Sequence, residues 1–229
     1  MALLWAEIPA WRFGGTEPLA TGSVAYSQDA LTCPGGGEHI AIYGDSHVVG
    51  GRMAQFGGES GPAYGRVLEA ELRGGATVSL HGVGGHTAPM GESRWNIGDS
   101  KADLVLIAYG TNDAAPRGWL RSKKPVALSD FTAAMERLAS TASETERQVV
   151  FLAPPPAGSS AIMQRLQPYR EALRDLGRQL DSPVLDPADA FAACESSQPL
   201  LIYDALHMTA SGHRCLGEWL AARLCNAPN

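Results

Sequence analysis

Nucleophilic acyl chemistry at neutral pH needs a hydroxyl or thiol, a base within hydrogen-bond reach of it, and a third group that orients the base. Residues 39–51, HIAIYGDSHVVGG, set Ser46 directly after a short apolar run. At this turn Ser46 reads equally as the cap of the next helix or as a nucleophile at a helix N-terminus, where backbone N–H groups favour developing negative charge. The same tripeptide recurs at Gly98, Asp99 and Ser100, but there it precedes an apolar run, ADLVLIAYG. If both runs are parallel strands, Ser100 lies at the opposite edge of the sheet from Ser46.

The chain contains six histidines. His39 opens a strand, His81 falls within one and His213 lies inside the final helix, while His47, next to Ser46, should project away from its hydroxyl. His86 and His207 both follow apolar runs, but only His207 has a carboxylate placed to orient it. Asp204 stands three residues earlier in the same turn, a spacing that puts the two side chains on one side. Asp204 can accept Nδ1–H of His207 and leave Nε2 to take the Ser46 proton. The tetrahedral oxyanion of acyl transfer also needs donors. Gly85 in GVGGHT can offer a backbone N–H with no side chain in the way, with Gly84 as the alternative, and Asn112 in GTND can offer its amide. With the N–H of Ser46 they would make a three-donor hole.

These residues converge only if the fold brings them to one edge. Short apolar runs at 39–43 and 77–83, ADLVLIAYG, QVVFL and SPVLDP alternate with helix-like segments at Val48–Met53, at Pro62–Arg73, after Ser129, around Ile162 to Leu180, and in ASGHRCLGEWLAARL. Ser129 is expected to cap its helix, and Pro168 to kink or delay the next one. Such alternation predicts an α/β fold, with helices on both faces of a parallel sheet and ligands beyond the carboxyl ends of the strands. The apolar PLLIY before Asp204 is read as one more strand. Residues 1–38 show no period and read as an irregular arm packed on the body formed by residues 39–229.

At 229 residues one core suffices. The net charge of −6 disfavours nucleic acid as a partner, and no apolar run approaches a membrane span. Four cysteines without C-x-x-C spacing are read as ordinary thiols, one or two disulfides being compatible with the count. The histidines show no close metal-ligand pair, so no metal is expected, and Thr87 spoils the dinucleotide fingerprint in GVGGHT. The start lacks a positively charged segment followed by a long apolar one. The chain as given is therefore expected in the cytoplasm, or in the periplasm or outside the cell if an export signal has been removed.

With YGDSH, GVGGHT, GTND and DALHMTASGH in this order, the chain resembles the SGNH hydrolases, also called GDSL esterases and lipases. The resemblance implies a three-layer α/β/α sandwich with a flavodoxin-like five-stranded parallel sheet and no cofactor. It implies Ser46 as nucleophile, His207 as base and acid, Asp204 as its partner, and Ser46, Gly85 and Asn112 as oxyanion donors. His47 stands where the family name has Leu, and GDSHV lacks the second glycine of the ordinary α/β-hydrolase elbow.

The expected reaction is hydrolysis of carboxylic esters with short acyl chains, including O-acetyl groups on a carbohydrate, the substrate being a small molecule or carbohydrate ester. A thioesterase or lysophospholipase-type lipase of the same family is the nearest alternative. A non-catalytic flavodoxin-like binding domain gives no reason for a Ser, an Asn and an Asp–His pair at strand ends. The loop AAPRGWLRSKKP carries Arg117, Trp119, Arg121, Lys123 and Lys124. It reads either as a solvated basic face or as a pocket mouth in which Trp119 and Arg117 contact an anionic or sugar-bearing ester. Ser46→Ala should remove nearly all hydrolysis of p-nitrophenyl acetate with the fold intact, whereas Ser100→Ala should do little; equal losses would refute the distinction.

Overall fold

The computed structural model describes residues 38–50, 61–115, 124–144 and 147–224. The arm, apart from Glu38, lies outside them, as do positions 51–53 of the expected first helix, Arg117, Trp119, Arg121, Lys123, Cys33 and Cys225. The strands are β1 (Glu38–Gly44), β2 (Ala76–Gly82), β3 (Leu104–Ala108), β4 (Gln148–Leu152) and β5 (Val184–Leu185). All pair in parallel, in the order β2-β1-β3-β4-β5. The helices are α1 (Ser46–Val49), α2 (Tyr64–Glu71), α3 (Ala88–Arg94), α4 (Leu128–Ser143), α5 (Ser160–Gln179), α6 (Pro187–Ala193) and α7 (Ala210–Leu224).

Near-continuous apolar runs make these strands because both faces are covered. Ala41, Tyr43, Val105, Ile107, Val149 and Phe151 face a core closed by Phe131 and Met135 of α4 and Leu166 and Leu173 of α5. Their alternates Ile40, Ile42, Leu104, Leu106, Val150 and Leu152 face a second core with Leu68 of α2 and Leu216, Leu220 and Leu224 of α7. Trp219 packs partly buried against that second core. The chain leaves β1 for β2 on one side and then crosses to β3 on the other. This puts the topological switch point between β1 and β3, where sheets of this kind bind ligands.

Several expectations need correction. Leu200, Leu201 and Ile202 of PLLIY are buried, Tyr203 is exposed, and among the described residues the run joins no sheet, its one ladder contact being an isolated antiparallel bridge between Leu201 and Met208. Ile202 N–H donates to His207 O and Thr209 N–H to Leu200 O, both at 2.9 Å, so the run folds back on the segment after it. Its apolar character reflects burial in the second core, which periodicity alone does not distinguish from strand pairing. Ser129 is not a cap: α4 begins one residue earlier with Ala127 at the N-cap position and no side-chain cap bond. Helix α5 runs through Pro168 rather than starting after it, because Ser159 caps it far upstream by accepting Ile162 N–H. Cys194 and Cys215 are joined in a disulfide rather than left as thiols. Packing of α6 on α7 brings them together, a proximity their spacing of 21 residues does not announce. In chain-entropy terms a loop of that size is worth about 3 kcal/mol.

Helix α2 also lacks a side-chain cap from its own N-cap residue, Ala63. The Tyr64 N–H instead donates to Nδ1 of His213 on α7 at 3.3 Å, and the two rings stack with centroids 6.1 Å apart. Burial, with a smaller contribution from His207, pushes the His213 imidazole down to about 4. An unfolded histidine titrates near 6.5, so the unfolded chain binds the extra proton first on acidification. Stability is therefore full above about pH 6.5 and declines as pH falls toward 4, by up to about 3 kcal/mol from this group. Denaturant unfolding of the wild-type chain beside His213→Gln, which keeps an acceptor but does not titrate, should show the stability difference between them moving in favour of the variant as pH falls across that window.

Candidate active site

Ser46 opens α1, one residue after Asp45 and two after Gly44. A Cβ on Gly44 would lie 2.5 Å from Ala108 O and 2.6 Å from Val48 Cγ2. Only glycine lets the turn into α1 seat this closely against β3. Asp45, 1 % exposed, is the N-cap of α1, and its Oδ1 accepts His47 N–H at 2.9 Å. Its Oδ2 accepts from Nδ2 of Asn112 at 3.1 Å, which ties the turn after β1 to the turn after β3.

Ser46 Oγ lies 3.0 Å from Nε2 of His207, across 161 residues of sequence. Nδ1 of His207 lies 2.6 Å from Asp204 Oδ2. Asp204 Oδ1 accepts the backbone N–H groups of Leu206 and His207, each at 2.9 Å. Burial would raise the Asp204 carboxyl, but the hydrogen bond and charge of His207, with those two N–H groups, hold it below the ordinary aspartate value. It therefore stays a carboxylate, which fixes the proton on Nδ1 and turns the lone pair of Nε2 toward the hydroxyl. The loop bearing this pair is held by its fold-back bonds and by Gly158 N–H, which donates to Ala205 O at 2.8 Å.

Gly85 lies in a turn closed by His86 N–H donating to Val83 O at 3.1 Å, with φ of +84°. The turn bond engages neither atom of the Gly84–Gly85 peptide, and a Cβ on Gly85 would meet nothing within 4 Å. A Cβ on Gly84 would stand 3.9 Å from Ser46 Cβ, so the loop lies over the serine. Asn112 is buried in the turn that follows β3. The switch point thus brings together Ser46, Asn112, the Gly84–Gly85 loop and the Asp204–His207 pair.

The other histidines are engaged elsewhere or stand apart. Nε2 of His39 and Nε2 of His81 both reach Ser79 Oγ, at 2.8 and 3.2 Å, and His81 stacks on Tyr43. Ser100 sits at the amino end of β3, where its Oγ accepts Ala102 N–H and its carbonyl accepts from Arg147. Asp45 had no role in the sequence reading, although its place before Ser46 made it the natural cap. His47, expected to project away from the Ser46 hydroxyl, has its buried ring stacked on His207, with centroids 5.4 Å apart. Of the basic residues of that loop only Lys124, which is exposed, lies among the described residues. Among those residues, no cluster of His, Cys, Asp or Glu could hold a metal ion, and no helix is long and apolar enough to cross a membrane. A solvent-open cavity between α6 and α7, lined by Cys194, Arg214, Glu218 and Trp219, includes none of the residues around Ser46.

Comparison with known structures gives the same architecture. The α/β hydrolase LAE5 from the metagenome of Lake Arreo superposes with a TM-score of 0.69 at 22% identity, covering 86% of this chain and 100% of that one. The acetylxylan esterase Axe2 from Geobacillus stearothermophilus superposes with a TM-score of 0.66 at 21% identity, covering 81% of this chain and 94% of that one. No curated protein sequence matches. The model of the GDSL-like Lipase/Acylhydrolase family matches residues 42–215, from β1 into α7. The chain belongs to that family and is a serine ester hydrolase.

Proposed function

We propose that Ser46 is the nucleophile of an esterase that removes short acyl groups, foremost O-acetyl groups carried by a carbohydrate. The observation that carries this reading is the continuous relay from Ser46 Oγ to His207 at 3.0 Å and from His207 to Asp204 at 2.6 Å. Nε2 of His207 accepts the serine proton as Oγ attacks the ester carbonyl, and Asp204 stabilises the imidazolium that forms. The oxyanion is held by the N–H groups of Ser46 and Gly85 and by Nδ2 of Asn112. The bond from Asn112 Nδ2 to Asp45 Oδ2 fixes this amide beside the turn that carries Ser46. His207 then gives its proton to the leaving alcohol, and water repeats the sequence to release the acid.

The short-acyl preference is supported by the lack of an extended apolar segment that could serve as a lid in the sequence, and the carbohydrate by the likeness of fold to an acetylxylan esterase. The test is a panel of p-nitrophenyl esters of increasing chain length beside acetylated xylo-oligosaccharides, with a thioester as comparator. Acetyl esters should give the highest kcat/KM; a maximum at long chains or at the thioester would replace this reading with a lipase or thioesterase.

Asn112→Ala should lower kcat by about 10²-fold with little change in KM, because the donor acts mainly on the transition state. A loss confined to KM would assign Asn112 to ground-state binding.

A further inference from the structure

The three loops that surround Ser46 are not equally supported by the sheet. Strands β2 and β3 both pair with β1 and not with each other. The turn after β1 is bonded to each neighbour: Val83 N–H donates to Gly44 O at 3.1 Å, and Asn112 Nδ2 donates to Asp45 Oδ2 at 3.1 Å. The spacing between the outer two loops, which carry Gly85 and Asn112, needs a link of its own. Asp113 makes one. Its side chain is 0 % exposed, and its Oδ1 accepts the N–H of Ala88, the first residue of α3, at 2.9 Å. Packing reinforces it, for Gly91 of α3 sits so close to Tyr109 that a Cβ there would be 2.3 Å from Cζ of the ring.

We propose that Asp113 is a positioning residue for ester hydrolysis: its bond to Ala88 N–H holds the Gly85 loop against the Asn112 turn and so sets the spacing of the two oxyanion donors. The proposal rests on the esterase reading given above. Two further observations fit it. Among the described residues Oδ2 of Asp113 has no hydrogen-bond partner. A buried carboxyl of this kind costs stability, so its bond to Ala88 is made at the expense of the fold. Burial, opposed by the Ala88 N–H and aided by the charge of Asp45, also pushes the carboxyl up to about 7. Both of its protonation states keep an acceptor for Ala88, as an asparagine would.

The experiment compares Asp113→Ala, Asp113→Asn and Ala88→Pro on p-nitrophenyl acetate, with thermal unfolding measured on each. Ala88→Pro removes the donor at the first position of a helix, where proline is tolerated. Asp113→Ala and Ala88→Pro should each lower kcat by about 10-fold to 10²-fold with KM nearly unchanged, as expected for displaced transition-state donors. Asp113→Asn should restore kcat to within about 3-fold. In an Asn112→Ala background the loss from Asp113→Ala should shrink to a few-fold, since part of what it misplaces is already gone. An unchanged kcat, a rise in KM alone, a full loss in both backgrounds, or failure of both Asp113→Ala and Ala88→Pro to fold would overturn the proposal. The esterase reading is checked separately with a serine-reactive phosphonate. If the wild-type chain does not label at Ser46, that reading fails. If it labels and hydrolyses while Asp113→Ala leaves kcat intact, only the role of Asp113 falls.

Discussion

The site depends on β1 being paired on both sides. A strand with parallel neighbours at each edge and a core on each face can place the turn that follows it only within the space the neighbours leave, and here that space is set by Ala108 O. Gly44 meets this constraint by having no side chain. Everything beyond it inherits the position: Asp45 turns inward to cap α1, Ser46 begins the helix, and the turns after β2 and β3 close over it from either side. A side chain at Gly44 would force β1 and β3 apart or push α1 outward, and either movement would carry Ser46 away from His207.

Three aspartates near this turn show how burial and partners assign different tasks to one side chain. Asp45 is buried, and both its oxygens accept N–H groups, one from the backbone and one from an amide side chain. Asp204 is less buried, and its bonds to His207 and to two backbone N–H groups outweigh desolvation and keep it charged. Asp113 is fully buried, and desolvation outweighs the backbone N–H groups of Ala88, Asp113 and Gly110 that act on its carboxyl. The charge that supports proton transfer thus lies beside His207, while the carboxyl between the outer loops approaches neutrality.

The legible part of the fold was the part governed by period and burial. Runs such as LVLIA and QVVFL are strands because nothing polar interrupts a segment covered on both faces, and the order of strands and helices then placed Ser46 and Ser100 at opposite ends of the sheet. The same logic misread PLLIY, where burial came from packing beneath α7 rather than from a ladder. Asp204 and His207 reach Ser46 from a fold-back loop instead of a strand end. Local spacing found that pair because both members lie in one turn. It could not reveal His47 stacked on His207, Asp113 bonded to Ala88 or Cys194 joined to Cys215, since each contact depends on how distant elements pack.

That disulfide encloses Asp204 and His207 but not Ser46. The carboxylate and the base it orients therefore belong to a covalent ring whose ends stay together even in the unfolded chain, and closing that loop adds no entropy cost during folding. The relay still needs a long closure, since Ser46 and His207 stand 161 positions apart in the sequence. Contacts of such separation weigh heavily in how fast a chain folds, because intervening elements must be in place before the two ends can meet. The relay in this sense ties the two ends of the sheet's construction together: it requires β1 and the fold-back loop before α7 to be in place at once.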